Sequence, residues 1–503
     1  MTPICSATSA VELLIIADVH YVNHAEHECP IPSRKSAWGL ELVRRAVRRT
    51  EREGVVDAVV LMGDLVDNGD AAGAEEDLAE IREEVSKLDV PIIVVPGNHD
   101  GPAERILDIF GDRPGIHVVK GCQLVTFADA YAPSDEATRS AEDLTLCAQA
   151  DPDLPIVAFQ HNPIHPPIES SYPYNLTNGA DVMRAYEEAG VLLSVSAHYH
   201  PGIAAEDVSG VAYMTCPALA EAPLRFTRLS ISDQSFAARE VALTMVDPPA
   251  PLFDFHAHSQ YAYCSDDVTA GTVVEHAEFF GISRVHITEH AGQLYLCADD
   301  YWGGVFREDA SVIRRERDAG RGRMDQFRAE VEPLRSPSVG MGLEVELDGD
   351  RKLTLLDRDR DGWDVFVGAV HVIMAGNIRT MDEDELLREF MRDTEDVVAQ
   401  DVDILAHPFR IFRRADRRVP TELYEPLAAL LAANGVAAEI NYHTNDPDAE
   451  FFAACVERGV KIALGSDGHG LWEIGEFGFH LHLLGKVIEP ARFRDVLYYG
   501  RDK

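Results

Sequence analysis

The sequence predicts an α/β protein of two domains. Short apolar runs of strand length alternate with stretches whose apolar residues recur at helical spacing, in both halves of the chain. A proline-dense segment, Val246-Asp247-Pro248-Pro249-Ala250-Pro251, separates halves of nearly equal size. In each half the strand-like runs end in Asp, Asn, Glu or His, and the carboxyl ends of strands are where open α/β sheets and barrels place their sites. The expected division is residues 1–247, a linker at 248–251, and residues 252–503.

In the first half, Val55–Met62 and Pro91–Val95 read as buried strands. Between them Glu75–Leu88 reads as a helix carrying Leu78, Ile81, Val85 and Leu88 on one face. Five strand-like runs end in potential ligands. Val11–Ala17 leads to Asp18 and His20, and Val55–Met62 to Gly63-Asp64. Pro91–Val95 leads to Gly97-Asn98-His99-Asp100, Leu154–Phe159 to His161-Asn162-Pro163, and Val191–Ala197 to His198-Tyr199-His200. In the second half seven runs end at His256/His258, Glu289/His290, Glu344/Glu346, His371, His407, His443 and Asp467/His469. Asp382–Gln400 reads as a helix with Leu386, Leu387, Phe390 and Met391 inward.

Composition narrows the function. The 503 residues exceed one ordinary domain. Apolar residues make up 46% and charged residues 26%, and no apolar run approaches the ~20 residues of a membrane helix, so a membrane protein is excluded. The balance of 45 basic against 86 acidic residues, a formal net charge of −41, repels polyanions. With no basic patch interleaved with aromatics, it argues against long nucleic acid as a partner. A small phosphorylated substrate held through metal ions remains compatible. Eight cysteines without a C-x-x-C pair form neither a zinc ribbon nor a disulfide framework, which leads us to expect a reducing, cytoplasmic setting. The first residues carry no basic n-region or small-residue cleavage site, and cleavage after Ala17 would destroy the Asp18/His20 pair.

Asp, Asn and His donors together suit a dinuclear centre for Mn, Fe or Zn. One carboxylate, Asp64, can serve both ions, and such a pair clamps a phosphate and activates water. A nearby histidine that is not a ligand can protonate the leaving oxygen. The order of the five motifs resembles the calcineurin-like metallophosphoesterase family over about residues 10–245. It looks closest to the cyclic-nucleotide phosphodiesterase branch through Gly63-Asp64-Leu65-Val66-Asp67-Asn68-Gly69 and Val95-Pro96-Gly97-Asn98-His99-Asp100. The resemblance implies an α/β sandwich in which Asp18, His20 and His200 hold one metal and Asp64 bridges. Asn98, His161 and His198 would hold the second metal, and His99 would act as acid or transition-state stabiliser. One departure is Ala197, where the family has glycine. His24, His27 and His165 receive no role.

In the second half, His256 and His258 point to one side of their strand by the two-residue period. Phe253-Asp254-Phe255-His256-Ala257-His258-Ser259, Gly368-Ala369-Val370-His371, Ala406-His407-Pro408 and Gly465-Ser466-Asp467-Gly468-His469 resemble the PHP (polymerase and histidinol phosphatase) family over about residues 252–485. Trp363-Asp364-Val365-Phe366 looks like its histidinol-phosphatase branch. The resemblance implies a distorted (β/α)7 barrel in which His256, His258, Glu344 and Asp467 hold one metal. Glu344 would bridge to a second metal held by His371 and His407, and His290 and His469 would hold a third. Cys264 and Asp266 are alternatives for a further third-metal ligand, and Glu289 stands where the family usually has Asp. Arg410 is a candidate phosphate-binding residue. His443 is either a supporting residue or a strand-end histidine. The Asp357-x-Asp359-x-Asp361-Gly362 run mimics the start of a calcium-binding loop, but its twelfth position is Gly368 where a bidentate Glu is required, so it reads as an acidic turn.

The expected function is that of a bifunctional metal-dependent phosphoric-ester hydrolase. The first domain would be a phosphodiesterase or phosphatase with about two metals. The second would be a phosphatase with two or three, and the two could act in sequence on a small phosphorylated metabolite or nucleotide. The alternatives are that only one domain is catalytic and the other a docking or regulatory module, or that the protein is a nuclease acting on short nucleic acid.

Overall fold

A computed structural model describes residues 10–232 and 234–501. The chain divides into two compact units, Met1–Leu243 and Thr244–Lys503. The division precedes the proline-dense segment because the chain already joins the second unit at Met245, whose N–H donates to Phe280 O. Ala250 and Leu252 are buried in the core of that unit.

The first unit stacks two sheets. In one, Val11–Ile16, Ala58–Leu61 and Ile92–Val94 run parallel, and the antiparallel strands Arg225–Ser232 and Ser235–Ala242 extend the edge beyond Val11–Ile16. In the other, Cys122–Thr126, Ile156–Phe159, Leu193–Ser196 and Val211–Thr215 are parallel neighbours, with the antiparallel strands Gly115–Val119 and Ile203–Val208 at the two edges. Alternate residues of both sheets share one core: Leu13, Ile15 and Ala17 with Leu124, Val157, Phe159, Leu193 and Val195. The pleat therefore turns one face of each strand to the other sheet, and all five predicted runs are strands. The predicted helix spans Ala74–Ser86 with Leu78, Ile81 and Val85 buried.

The second unit is a closed barrel of seven parallel strands in chain order: Phe253–Ala257, Arg284–His290, Val339–Val345, Val365–Gly368, Ile404–Leu405, Ala437–Asn441 and Ile462–Gly465. Each corresponds to one of the seven predicted runs. A cluster of Phe255, Val365, Val367, Ala369, Ile404, Ala406, Ala437 and Ala463 is drawn from five of the seven strands and the residues that directly follow two of them. The helix Glu383–Val398 is capped by Asp382, whose side chain accepts the Glu385 N–H at 2.9 Å, and it buries Leu386 and Phe390. The acidic turn is structural: Asp359 is buried and paired with Arg317 and the Tyr295 hydroxyl. Among the described residues no helix is long and apolar enough to cross a membrane.

Candidate metal centres

In the first unit the carboxyl ends of parallel strands from both sheets meet. Donor atoms of Asp18, His20 and His200 lie within 4.8 Å of one another, and so do those of Asp64, His161 and His198. Asp64 stands between the two groups. Its Oδ2 is 3.7 Å from His20 Nε2, 3.3 Å from His161 Nε2 and 3.9 Å from His198 Nδ1. The histidines are held by their other faces. His161 Nδ1 is 2.7 Å from Met62 O, and His20 Nδ1 is 3.2 Å from Asp67 Oδ1. Asp67 is in turn paired with His27 and Arg34. His27 thus acquires a supporting contact that the sequence reading did not assign.

The backbone at these ends is strained. Asp18, His20, Asp64 and His198 all have positive φ, between 48° and 67°. Such conformations cost on the order of 1–3 kcal/mol each and gather at functional sites. Gly97 is required here: a Cβ on it would run into the Asp64 carboxylate and lie 2.4 Å from its backbone nitrogen.

Electrostatics follow from burial and crowding. Burial would raise the Asp64 carboxyl, but His161 and His198 beside it hold it well below the usual carboxylate range. Burial alone would lower His161, yet Asp64 pushes it up to about 10. His20 is pulled down to about 4 by burial, against its hydrogen bond to the accepting Asp67 carboxylate.

A cavity of about 780 Å³ opens over this cluster. His99 lines it. Its Nδ1 is 2.6 Å from the Asp67 carbonyl, so Nδ1 carries the proton and donates, and Nε2 is left for the cavity. Asn98 also lines the cavity; its amide donates to Tyr172 Oη at 3.3 Å, and its buried Oδ1 has no hydrogen-bond partner. Tyr172, Tyr174 and Tyr199 form an aromatic wall, with Tyr174 packed edge-on against both neighbours at 5.0 and 5.3 Å.

The barrel repeats the design with different residues. Glu344 Oε2 lies 3.4 Å from His256 Nε2 and 3.8 Å from His258 Nε2. Its Oε1 lies 3.0 Å from His371 Nε2 and 3.1 Å from His407 Nε2. Asp467 Oδ1 is 3.0 Å from His258 Nε2 and 3.6 Å from His256 Nε2. His407 and Asp467 again have positive φ. Burial opposes ionisation of Glu344 and Asp467, but the histidines around them hold both well below the carboxylate range.

The predicted third position also assembles: donors of His258, His290 and His469 lie within 4.8 Å of one another. Cys264 Sγ is 3.7 Å from His290 Nε2. Asp266 is exposed and reaches this group through its backbone N–H, which donates to His469 O. Of the two alternatives for a further ligand, Cys264 is the one whose side chain meets the cluster. Arg410 is buried, lines the cavity over the centre, and directs Nη1 at Asp467 Oδ2. One arm of its fork is thereby committed to that carboxylate. Glu289, the departure from Asp, accepts both the N–H and the hydroxyl of Ser259.

Sequence reasoning missed the carboxylates that fix these histidines. Glu439 bonds His256 Nδ1 at 2.8 Å and accepts the His407 N–H at 2.7 Å. Asp100 accepts four backbone N–H groups of the Asp64 and Gly97 turns. A signal existed for Glu439, a lone acid inside the apolar run Ala437–Asn441.

Divalent cations fit both clusters. Asn98 Oδ1 and His256 Nε2 are buried atoms without hydrogen-bond partners; Asn98 lines the cavity beside Asp64 and His198, and His256 Nε2 faces Glu344 and Asp467. An orphaned buried polar atom costs roughly 1–3 kcal/mol unless something meets it. The nitrogen and oxygen donors are those that Mn, Fe and Zn accept.

Residues 11–202 match the family of calcineurin-like phosphoesterases, and residues 254–443 match the PHP domain. The chain joins a calcineurin-like phosphoesterase domain to a PHP domain. Both belong to phosphoesterase families. The first match contains every donor of the first centre. The second contains those of the PHP domain up to His407, leaving Asp467 and His469 beyond its end.

Among solved structures, a dimetal phosphatase from Danio rerio is 17% identical over 46% of this chain and 99% of its own, with a TM-score of 0.37. A Thermus thermophilus protein is 16% identical over the same shares at 0.33. A Listeria monocytogenes protein described as a histidinol phosphatase is 12% identical, again over 46% and 99%, at 0.33. No curated protein matches the chain.

Proposed function

We propose that the protein is a bifunctional metal-dependent phosphoric-ester hydrolase. In this reading the calcineurin-like domain cleaves a phosphodiester, and the PHP domain removes a phosphate from a monoester. The two act in sequence on a small phosphorylated metabolite or nucleotide. The observation that carries the reading is the same relationship found twice: one buried carboxylate, Asp64 or Glu344, with histidines from separate strands around it.

Asp18, His20 and His200 would hold one ion and Asn98, His161 and His198 another, with Asp64 shared. In the PHP domain His256, His258 and Asp467 would hold one ion and His371 and His407 another, with Glu344 shared. His290 and His469, with Cys264, would hold a third. Mn, Fe or Zn bound there would clamp a phosphoryl group and acidify a water. In the first domain His99 would orient its Nε2 toward the leaving oxygen and give it a proton, while the Asp67 carbonyl keeps the ring from turning.

The cavity of the first domain supports a small substrate. Asp67, Asp70, Asp135 and Glu221 line it, and Arg34 there is already paired with Asp67. Such a lining repels a long polyanion.

The test is hydrolysis of bis(4-nitrophenyl) phosphate and 4-nitrophenyl phosphate with added Mn by wild type, Asp64→Asn and Glu344→Gln. The reading expects Asp64→Asn to abolish diester cleavage and Glu344→Gln to abolish monoester cleavage. If one substitution removed both activities and the other neither, one domain would not be a hydrolase for these esters.

A further inference from the structure

The PHP-domain cavity, about 420 Å³, contains a histidine that the metal clusters do not use. His443 follows the strand Ala437–Asn441 and stacks on His469, with ring centroids 4.3 Å apart and planes 23° from parallel. Its Nδ1 lies 2.8 Å from Glu473 Oε1. Glu473 is buried, and its other oxygen accepts the backbone N–H of His469 at 2.9 Å and of Gly470 at 3.4 Å. The carboxylate cannot turn away without breaking the loop that presents His469. It therefore fixes the His443 ring, with Nδ1–H donating to Glu473. Nε2 has no protein partner among the described residues, and the residue lines the cavity together with His290, His371, Arg410 and His469.

We propose that His443, oriented by Glu473, is the proton donor to the leaving alcohol in the PHP domain. An imidazole pinned at one nitrogen by a carboxylate, with the other nitrogen directed at the reacting group, is the arrangement that acid–base catalysis uses. In the step, water adds to phosphorus as the phosphorus–oxygen bond to the alcohol breaks. The electron pair of that bond stays on the ester oxygen, the Nε2 proton joins it, and the alcohol departs. The proton released by the added water restores His443 through solvent. His443 thus does for the PHP domain what His99 is placed to do for the other, through an unrelated fold. The inference rests on the PHP domain being a hydrolase.

The test uses the full chain carrying Asp64→Asn, so that only the PHP domain acts, with two monoesters of opposite demand. Nitrophenolate leaves 4-nitrophenyl phosphate unaided, whereas glycerol 2-phosphate releases an alkoxide that needs a proton. His443→Gln should lower kcat on glycerol 2-phosphate by roughly 100-fold or more and change 4-nitrophenyl phosphate by less than about five-fold, at unchanged metal content. His443→Ala should lose the same activity and recover part of it in added imidazole, which a residue needed only for packing would not do.

Equal losses on both esters, or a loss of bound metal, would make His443 a structural residue or a ligand and overturn the proposal. No loss on either ester would overturn it as well. If the Asp64→Asn chain hydrolysed neither ester before any change at His443, the hydrolase reading itself would fail and this inference with it.

Discussion

The Asp100 carboxylate holds the backbone of Asp64: Oδ2 accepts the Asp64 N–H at 2.9 Å while the same side chain takes the N–H groups of Leu65, Val66 and Gly97. Asp64 sits at a φ of 48°, which a non-glycine residue keeps only when its surroundings enforce it. Asp100 is fully buried, so no water can replace these bonds. Asp100→Asn turns an acceptor into a donor facing N–H groups. Each N–H left unpaired costs about 1–3 kcal/mol. We expect the calcineurin-like domain to lose metal affinity at least ~10-fold, as changes to supporting contacts commonly do. Diester hydrolysis should fall with it while monoester hydrolysis by the PHP domain persists. Metal titration of the variant, beside both assays, checks this. Unaltered metal binding would show that Asp64 holds its conformation without Asp100.

Gly465 plays the corresponding part in the barrel. A Cβ there would strike Glu439 Oε1 and approach His256 Cβ at 2.9 Å. Glu439 is the residue that fixes His256 and the His407 backbone. Gly465→Ala should therefore displace Glu439 and loosen both histidines at once. The expected outcome is loss of about one to two metals from the PHP domain, with the calcineurin-like domain still loaded. Inductively coupled plasma mass spectrometry on the purified full chain reads this directly. Retention of every metal would mean that Glu439 can shift without moving its partners.

These two residues mark where the sequence was legible and where it was not. The alternation of apolar runs with polar ends exposed all twelve strands at whose ends the candidate site residues lie, because burial forces the period and function places its polar residues at strand ends. Asp64 was readable as a carboxylate able to serve two ions, whereas the expected bridging role of Glu344 came from the resemblance to the PHP family alone. What could not be read is how each donor is aimed. Six candidate ligands, Asp18, His20, Asp64, His198, His407 and Asp467, adopt positive φ; Asp and His are enriched in that region, but residue type alone does not say which of the chain's many Asp and His residues take it. Glu439, Asp100 and Glu473 act across 183, 36 and 30 residues of chain, a distance that periodicity does not register. Which of Cys264 and Asp266 brings its side chain to His290 likewise depends on a loop conformation. Arg410, a candidate phosphate-binding residue, directs one arm at Asp467, a pairing across 57 residues that the sequence does not display.

Removing the metals should cost stability in both domains. The clusters hold buried carboxylates and orphaned atoms whose demands cations would meet, and a ligand bound only to the folded state stabilises it by mass action. The wild type should contain about four or five ions per chain, and Asp64→Asn and Glu344→Gln should each lack about two. Chelation should lower the unfolding temperature by several degrees or more, given that about 2.7 kcal/mol is at stake for each ion present at a hundred times its Kd. Scanning calorimetry of the stripped and Mn-reloaded chain checks this. An unchanged melting profile would mean that the clusters tolerate their own charge.

His286 gives the PHP domain a separate, metal-independent sensitivity to acid. It is buried inside the strand Arg284–His290, stacked on Phe255 at 4.6 Å, with Nδ1 3.0 Å from Asp254 O and its ring close against Gly340. Burial, with help from Arg284, pulls it down to about 4 from its ordinary 6.5. Between those values the unfolded chain binds a proton that the folded chain refuses. Stability contributed by His286 is therefore complete above pH 6.5 and falls as the pH is lowered toward 4, by at most about 1.4 kcal/mol per unit. His286→Gln keeps a donor for Asp254 O and removes the titration. The variant should be less stable than wild type at pH 7, and the gap should narrow by roughly 2 kcal/mol at pH 5. Urea unfolding at the two pH values, followed on the PHP-domain transition, measures the gap. Parallel losses in wild type and variant would show that the folded barrel accommodates the charged imidazole.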